Sequence, residues 1–142
     1  MKYFLQLLLT ICLFFTLNPV FADVNAYNAY GSKTGSYKVN QAGNVITEYD
    51  KYGSRSSSYR KTSSGYNQYD KYGSKTGSYR KTSTGYNSYD RYGRKTGSYK
   101  VNSNGTTTIY DKYGRKSGTL KKSSSGKIIE YDKNGRKVGS YR

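Results

Sequence analysis

The chain has 142 residues, a formal net charge of +17, 33% hydrophobic residues and 19 tyrosines. With one Cys and no His, it excludes a disulfide framework and the imidazole or paired-thiolate sites of zinc and copper. So few aliphatic residues exclude a conventional Leu/Ile/Phe core, so any buried layer must be built largely from tyrosine, whose hydroxyl needs a partner or water.

Residues 1–22 differ in kind from the rest. Met1 and Lys2 form a positive start, Tyr3 to Leu17 is almost wholly apolar, Asn18-Pro19 breaks the helix, and Val20-Phe21-Ala22 ends in small residues. This order predicts a secretory signal helix cut between Ala22 and Asp23. The apolar run is shorter than the roughly 20 residues that cross a bilayer, so a membrane anchor is the weaker reading. Cys12 lacks a small residue before it, which argues against lipid attachment. The signal holds all four Phe, the only Cys, the only Pro and the only Met. Removing it leaves residues 23–142 with a net charge of +16, since Lys2 is its one charged residue and the whole chain carries +17. A field of that sign favours polyanions. The expected location is the periplasm, the cell surface or the extracellular space.

Residues 23–142 form one domain of repeats. Aligned on Tyr-Asp, units start at Tyr27, Tyr49, Tyr69, Tyr89, Tyr110 and Tyr131, giving 20 to 22 residues per repeat. Two turn glycines punctuate each unit: Gly31 and Gly43, Gly53 and Gly65, Gly73 and Gly85, Gly93 and Gly105, Gly114 and Gly126. Within a pair the spacing is constant at 12 residues, and all variation falls between the second glycine and the next Tyr-Asp. Turns absorb insertions best, because a one-residue slip inside a strand turns its side chains to the other face. Each glycine stands fourth after an Asp, Asn, Ser or Thr, the preference of a type I turn followed by a left-handed residue. The acids of the chain, mostly one per turn, read most simply as caps on those turns.

Between the turns lie short runs rich in strand-forming residues, such as Gly77-Ser78-Tyr79-Arg80-Lys81. The chain therefore predicts an all-β antiparallel meander of β-hairpins, about 10 strands by turn count, either open or closed. A helix is excluded by recurrent glycine and the absence of 3.6-residue apolar periodicity. Low hydrophobicity and high charge favour disorder, but constant turn spacing and abundant tyrosine oppose it. Stacked hairpins would align Tyr37, Tyr59, Tyr79, Tyr99, Leu120 and Tyr141 in one ladder and the Tyr-Asp tyrosines in a second. Apolar Ile46, Tyr66, Tyr86 and Ile128, three residues before the second ladder, predict that both faces are partly covered or that the strand bulges.

The unit resembles two bacterial repeat families. Tyr89-Asp90-Arg91-Tyr92-Gly93-Arg94 and its equivalents at Tyr110 and Tyr131 look like the YD (RHS-type) repeat, while Asn134-Gly135-Arg136-Lys137-Val138-Gly139-Ser140-Tyr141 is similar to MORN-like repeats. The resemblance implies a β-hairpin array without intrinsic catalysis that contacts surfaces, glycans or lipids. Lys95, Lys116 and Lys137 stand where YD repeats carry Leu, and the units are too few for the enclosing shells of long arrays.

Fragments that mimic enzyme signatures do not combine. Lys-Thr-Gly at Lys75 and Lys95 and Ser-x-x-Lys at Ser58 and Ser78 recur with the repeat, and the Ser-Asp-Asn partner is missing. No catalytic residue, metal site or cofactor is expected. The functional candidates are basic residues that follow strand tyrosines: Tyr59-Arg60-Lys61, Tyr79-Arg80-Lys81, Tyr99-Lys100 and Lys121-Lys122. Tyrosine faces stack on sugars or bases while Arg and Lys meet phosphate, sulfate or carboxylate. The plainer reading is a solvated face that keeps a sticky sheet soluble. The expected partners are an anionic polysaccharide, lipopolysaccharide or extracellular nucleic acid, with membrane-surface contact and self-association as further options. The alternative function is self-assembly of short strands with unpaired edges into cross-β matrix fibres.

Overall fold

The computed structural model describes residues 23–142; the expected signal helix and the cut after Ala22 lie outside the described residues. The chain is all-β. Twelve strands follow one another: β1 (Val24–Asn28), β2 (Lys33–Val39), β3 (Val45–Asp50), β4 (Arg55–Thr62), β5 (Gly65–Asp70), β6 (Lys75–Thr82), β7 (Gly85–Asp90), β8 (Lys95–Val101), β9 (Thr107–Asp111), β10 (Lys116–Lys122), β11 (Ile128–Asp132) and β12 (Lys137–Tyr141). Each pairs antiparallel with its neighbours in sequence, and β1 pairs with β12, so the meander closes into a barrel. The turn count of about 10 fell short because the first and last units also supply strands. Tyr27↔Ser140 and Asn28↔Gly139 form the seam, where the Asn25 and Arg142 amides each donate to the other's carbonyl. Closure removes the unpaired edges on which the cross-β route rests.

In such a meander all Tyr-Asp turns lie at one end of the barrel and all Ser/Thr turns at the other. Every Tyr-Asp turn has the same construction. The Asp50 carboxylate accepts from the amides of Tyr52 and Ser54, and the Gly53 amide donates to the Asp50 carbonyl. Asp70, Asp90, Asp111 and Asp132 repeat this grip, and Asn28 imitates it. The glycine completing the turn is left-handed, as at Gly53 (φ 83°) and Gly93 (φ 80°). Three residues further, the returning strand bulges: Glu48↔Ser57 is followed by Tyr49↔Arg55, with Ser56 as the extra residue.

The Ser/Thr turns are less uniform. Gly43, Gly105 and Gly126 are left-handed as the sequence predicts, but Gly65 and Gly85 are not turn residues of that kind. They open β5 and β7, opposite Thr62 and Thr82, across two-residue loops. Glycine is required there for close approach, since a Cβ would run into the carbonyl of Tyr79 or Tyr99, and Gly65 also keeps a positive φ of 149°. These are the units with the shortest distance to the next Tyr-Asp, so the length variation of the repeat is taken up in the turns themselves.

Strand alternation separates the two tyrosine ladders. Tyr37, Tyr59, Tyr79, Tyr99, Leu120 and Tyr141 face inward and are at most 7% exposed. Tyr59, Tyr79 and Tyr99 pack as tilted rings, with neighbouring centroids 6.4 Å apart. Ala26, Ile46, Tyr86, Ile109 and Ile128 complete the core. Tyr27, Tyr49, Tyr69, Tyr89, Tyr110 and Tyr131 lie on the outer wall, half-buried. Ile46 and Tyr49 are an odd number of residues apart and so take opposite faces. Both faces of the sheet are therefore partly covered, and the bulges fall on the following strand.

Candidate functional site

The proposed basic patch is divided by the barrel wall. Tyr59, Tyr79 and Tyr99 point into the core, where no sugar or base could stack on them. Their phenols are held neutral: burial raises Tyr59 and Tyr79 well above the ordinary value and pushes Tyr99 up to about 12. Arg60, Arg80, Lys100 and Lys121 stand on the outer wall. There Arg60 lies 4.7 Å over the Tyr69 ring, Arg80 4.7 Å over Tyr89 and Lys121 5.4 Å over Tyr131. Lys61, Lys81 and Lys122 end their strands at the Ser/Thr rim. The correction has a simple cause: adjacent strand residues take opposite faces, so Tyr59 and Arg60 cannot share one.

The exposed aromatic surface is elsewhere. The third residue of each Asp-x-Tyr-Gly turn projects from the Tyr-Asp rim, making a crown of Tyr30, Tyr52, Tyr72, Tyr92 and Tyr113 that is 70–95% exposed. Each ring after the first has a cation on its face: Lys51 lies 4.8 Å from Tyr52, Lys71 4.9 Å from Tyr72 and Lys112 4.8 Å from Tyr113. Arg94 approaches Tyr92 at 5.2 Å and Arg115 approaches Tyr113 at 5.0 Å. The turn fixes this geometry, because the Asp carboxylate that caps it holds the tyrosine amide and so aims the ring outward. The sequence search passed over these tyrosines as turn residues. The available signal was a bulky aromatic at a position where Gly, Asn or Asp would serve the turn equally well.

Three of the capping acids are also ion-paired: Arg94 with Asp90 at 2.7 Å, Arg115 with Asp111 at 2.8 Å and Arg136 with Asp132 at 3.1 Å. The amides of Arg115 and Arg136 first, joined by the amides of Tyr113 and Asn134 and by the two guanidinium groups, hold Asp111 and Asp132 below the usual carboxylate range against desolvation. Asp50 and Asp70 have Ser54 and Ser74 four residues on, in place of Arg.

A cavity of about 620 Å³ opens at the Tyr-Asp rim beside the β1–β12 seam. Ala26, Glu48, Gln68 and Glu130 on its lining all stand just before the tyrosine that starts a unit, the position at which the repeats differ most, with Ser88 and Ile109 in the other two units. Glu48 accepts from the Ser57 hydroxyl and from the Tyr59 phenol at 2.9 Å; Glu130 accepts from Tyr141 at 2.7 Å. Ser57 replaces a glycine found in the other units (Gly35, Gly77, Gly97, Gly118, Gly139), so the departure that introduces Glu48 is matched by one that binds it. Burial pushes Glu130 up to about 7 and raises Glu48 against the opposing bonds from Ser57 and Tyr59.

Among the described residues no group of three His, Cys, Asp or Glu is placed to hold a metal ion, and no helix is long and apolar enough to cross a membrane. The strands, 5 to 8 residues long, are shorter than the 9 to 11 of bilayer-spanning strands. Lys38, Arg60, Arg80 and Lys100 on the outer wall differ from the apolar band of such barrels. Comparison with protein-family models, with curated proteins and with solved structures finds no match.

Proposed function

We propose that the protein is exported, acts without catalysis, and grips an anionic polymer outside the cytoplasm through the crown of its Tyr-Asp rim. Acidic polysaccharide, lipopolysaccharide or extracellular nucleic acid supplies the required chemistry: a chain of anions with flat rings or sugar faces between them. The carrying observation is the crown, in which five exposed tyrosines recur at one turn position and four of them, Tyr52, Tyr72, Tyr92 and Tyr113, stand beside Lys or Arg. Exposed aromatic rings on a highly charged barrel have no folding role, and a face that alternates ring and cation suits a polymer that alternates sugar or base and anion. The outer wall, with Arg60 on Tyr69 and Arg80 on Tyr89, extends the positive field, but its rings are half-buried where those of the crown are exposed. The secretion pattern of residues 1–22, the excess positive charge and the resemblance to YD and MORN-like repeats support the same reading.

The test is a salt-titrated binding panel of the purified protein against acidic polysaccharide, lipopolysaccharide and DNA. Saturable binding that weakens steeply with salt and is lost when the crown tyrosines are replaced by Ser supports the proposal. Absent or salt-insensitive binding overturns it.

A further inference from the structure

The distribution of acids in this barrel is uneven in a way that turn capping does not explain. Of the eight acids in the chain, Asp23, Asp90, Asp111 and Asp132 are each paired with a Lys or Arg. Among the described residues Glu48, Asp50, Asp70 and Glu130 form no ion pair with Lys or Arg, and all four line the cavity at the Tyr-Asp rim. The chain is rich in Lys and Arg, 25 in all, yet among the described residues none lines that cavity. Two of the acids are deep. Glu130 is 2% exposed, and its Oε1 has no hydrogen-bond partner among the described residues. The Thr76 hydroxyl, also on the lining, is likewise unpartnered. A buried carboxylate oxygen left without a donor is costly unless something supplies one.

We propose that this cavity is a binding site for a small organic cation carrying primary ammonium groups. The acceptors are spread from the rim (Asp50, Asp70) to the floor (Glu48, Glu130), so they suit a molecule with donors at several points better than a single metal ion. The volume falls within the range of small-molecule sites, and the Tyr59 and Tyr141 rings give the carbon skeleton an apolar wall. A free polyamine and an amino sugar share this chemistry. The site shares only the capping carboxylates Asp50 and Asp70 with the crown turns and none of the crown rings, and binding there does not depend on the polyanion reading.

The probes are spermidine, glucosamine and N-acetylglucosamine, titrated calorimetrically into the full chain at a salt concentration that abolishes any polyanion binding. One saturable site for spermidine identifies the free-polyamine source, and one for glucosamine identifies the sugar-borne amine. N-acetylglucosamine, which keeps the ring but loses the charge, binds at least about tenfold more weakly. Glu48→Gln with Glu130→Gln weakens binding by at least a further tenfold. Asp70→Asn, whose side chain can still cap the turn as Asn28 does, weakens it in the same direction. Asp111→Asn, outside the cavity, leaves it unchanged, and circular dichroism of each variant confirms the barrel. Binding of neither amine overturns the proposal, as does equal binding of the acetylated sugar or equal loss in the Asp111→Asn control.

Discussion

The two rims of the barrel are built from the same repeat and do opposite things. The Tyr-Asp rim is uniform: at each turn an Asp or Asn side chain grips two backbone amides, a left-handed glycine follows, and the strand returns through a bulge. The Ser/Thr rim is made of Ser, Thr and Asn, varies in length from unit to unit, and includes loops of two kinds. A turn held by its own carboxylate can aim a large side chain at solvent, and the uniform rim accordingly carries the crown and the mouth of the acid-lined cavity. The variable rim closes hairpins and absorbs the length differences. Regularity at one end is therefore the mark of display, and variability at the other the mark of connection.

The comparison breaks most visibly in binding. Replacing Tyr30, Tyr52, Tyr72, Tyr92 and Tyr113 with Ser should lower polyanion affinity at least about 100-fold, since aromatic stacking contributes about 1–3 kcal/mol per ring engaged. Replacing Lys61, Lys81 and Lys122 on the other rim should change it by less than about threefold at moderate salt. Equal losses measured by the same titration would show that charge alone, at either end, carries the interaction.

The pH dependence of stability sharpens the contrast, because the raised acids sit at the cavity end. Glu130 is pushed from the ordinary 4.5 to about 7 in the folded state, and Glu48 moves the same way. The folded barrel then holds protons that the unfolded chain releases, so stability is full below about pH 4.5 and falls as pH rises to and beyond 7. The Glu130 shift alone corresponds to roughly 3 kcal/mol. Urea unfolding from pH 4.5 to 8 should show this fall in the native protein and lose most of it in Glu130→Gln.

Single turns give a smaller effect. Asp50→Ala removes the acceptor for two amides and should cost about 1 kcal/mol, whereas Thr82→Ala at a Ser/Thr turn should cost less than about 0.5 kcal/mol. Smallest is the layer between the rims. The Tyr79 hydroxyl is buried without a hydrogen-bond partner among the described residues, so Tyr79→Phe should shift stability by less than about 0.5 kcal/mol, toward the more stable side.

Much of the architecture was legible because glycine and Asp mark turns by a local mechanism. The unit starts, the hairpins and both tyrosine ladders follow from Gly53, Gly73, Gly93 and their equivalents without tertiary information. Which ladder faces inward was not legible: Tyr59 and Tyr69 are chemically identical, and a chain with tyrosine at both parities has no apolar face to read. Closure was equally hidden, since the seam of Ala26 with Tyr141 is a contact between chain ends that no local pattern encodes. The expected grouping of strand tyrosines with the cations beside them was divided for the same reason. Tyr59, Arg60 and Lys61 are neighbours in sequence but lie in the core, on the wall and at the rim. The cavity acids left a trace in the sequence, as the one unit position that runs through Ala26, Glu48, Gln68, Ser88, Ile109 and Glu130, but its direction needed the barrel.

The separation of buried and displayed tyrosines is tested most directly by limited nitration of the native protein, with each modified residue located by mass spectrometry. The crown residues Tyr52, Tyr72, Tyr92 and Tyr113 should be nitrated first, while Tyr37, Tyr59, Tyr79 and Tyr99 stay protected until denaturant is added. Nitration of Tyr59, Tyr79 and Tyr99 at the crown's rate, without denaturant, would contradict the closed barrel and the rim it presents.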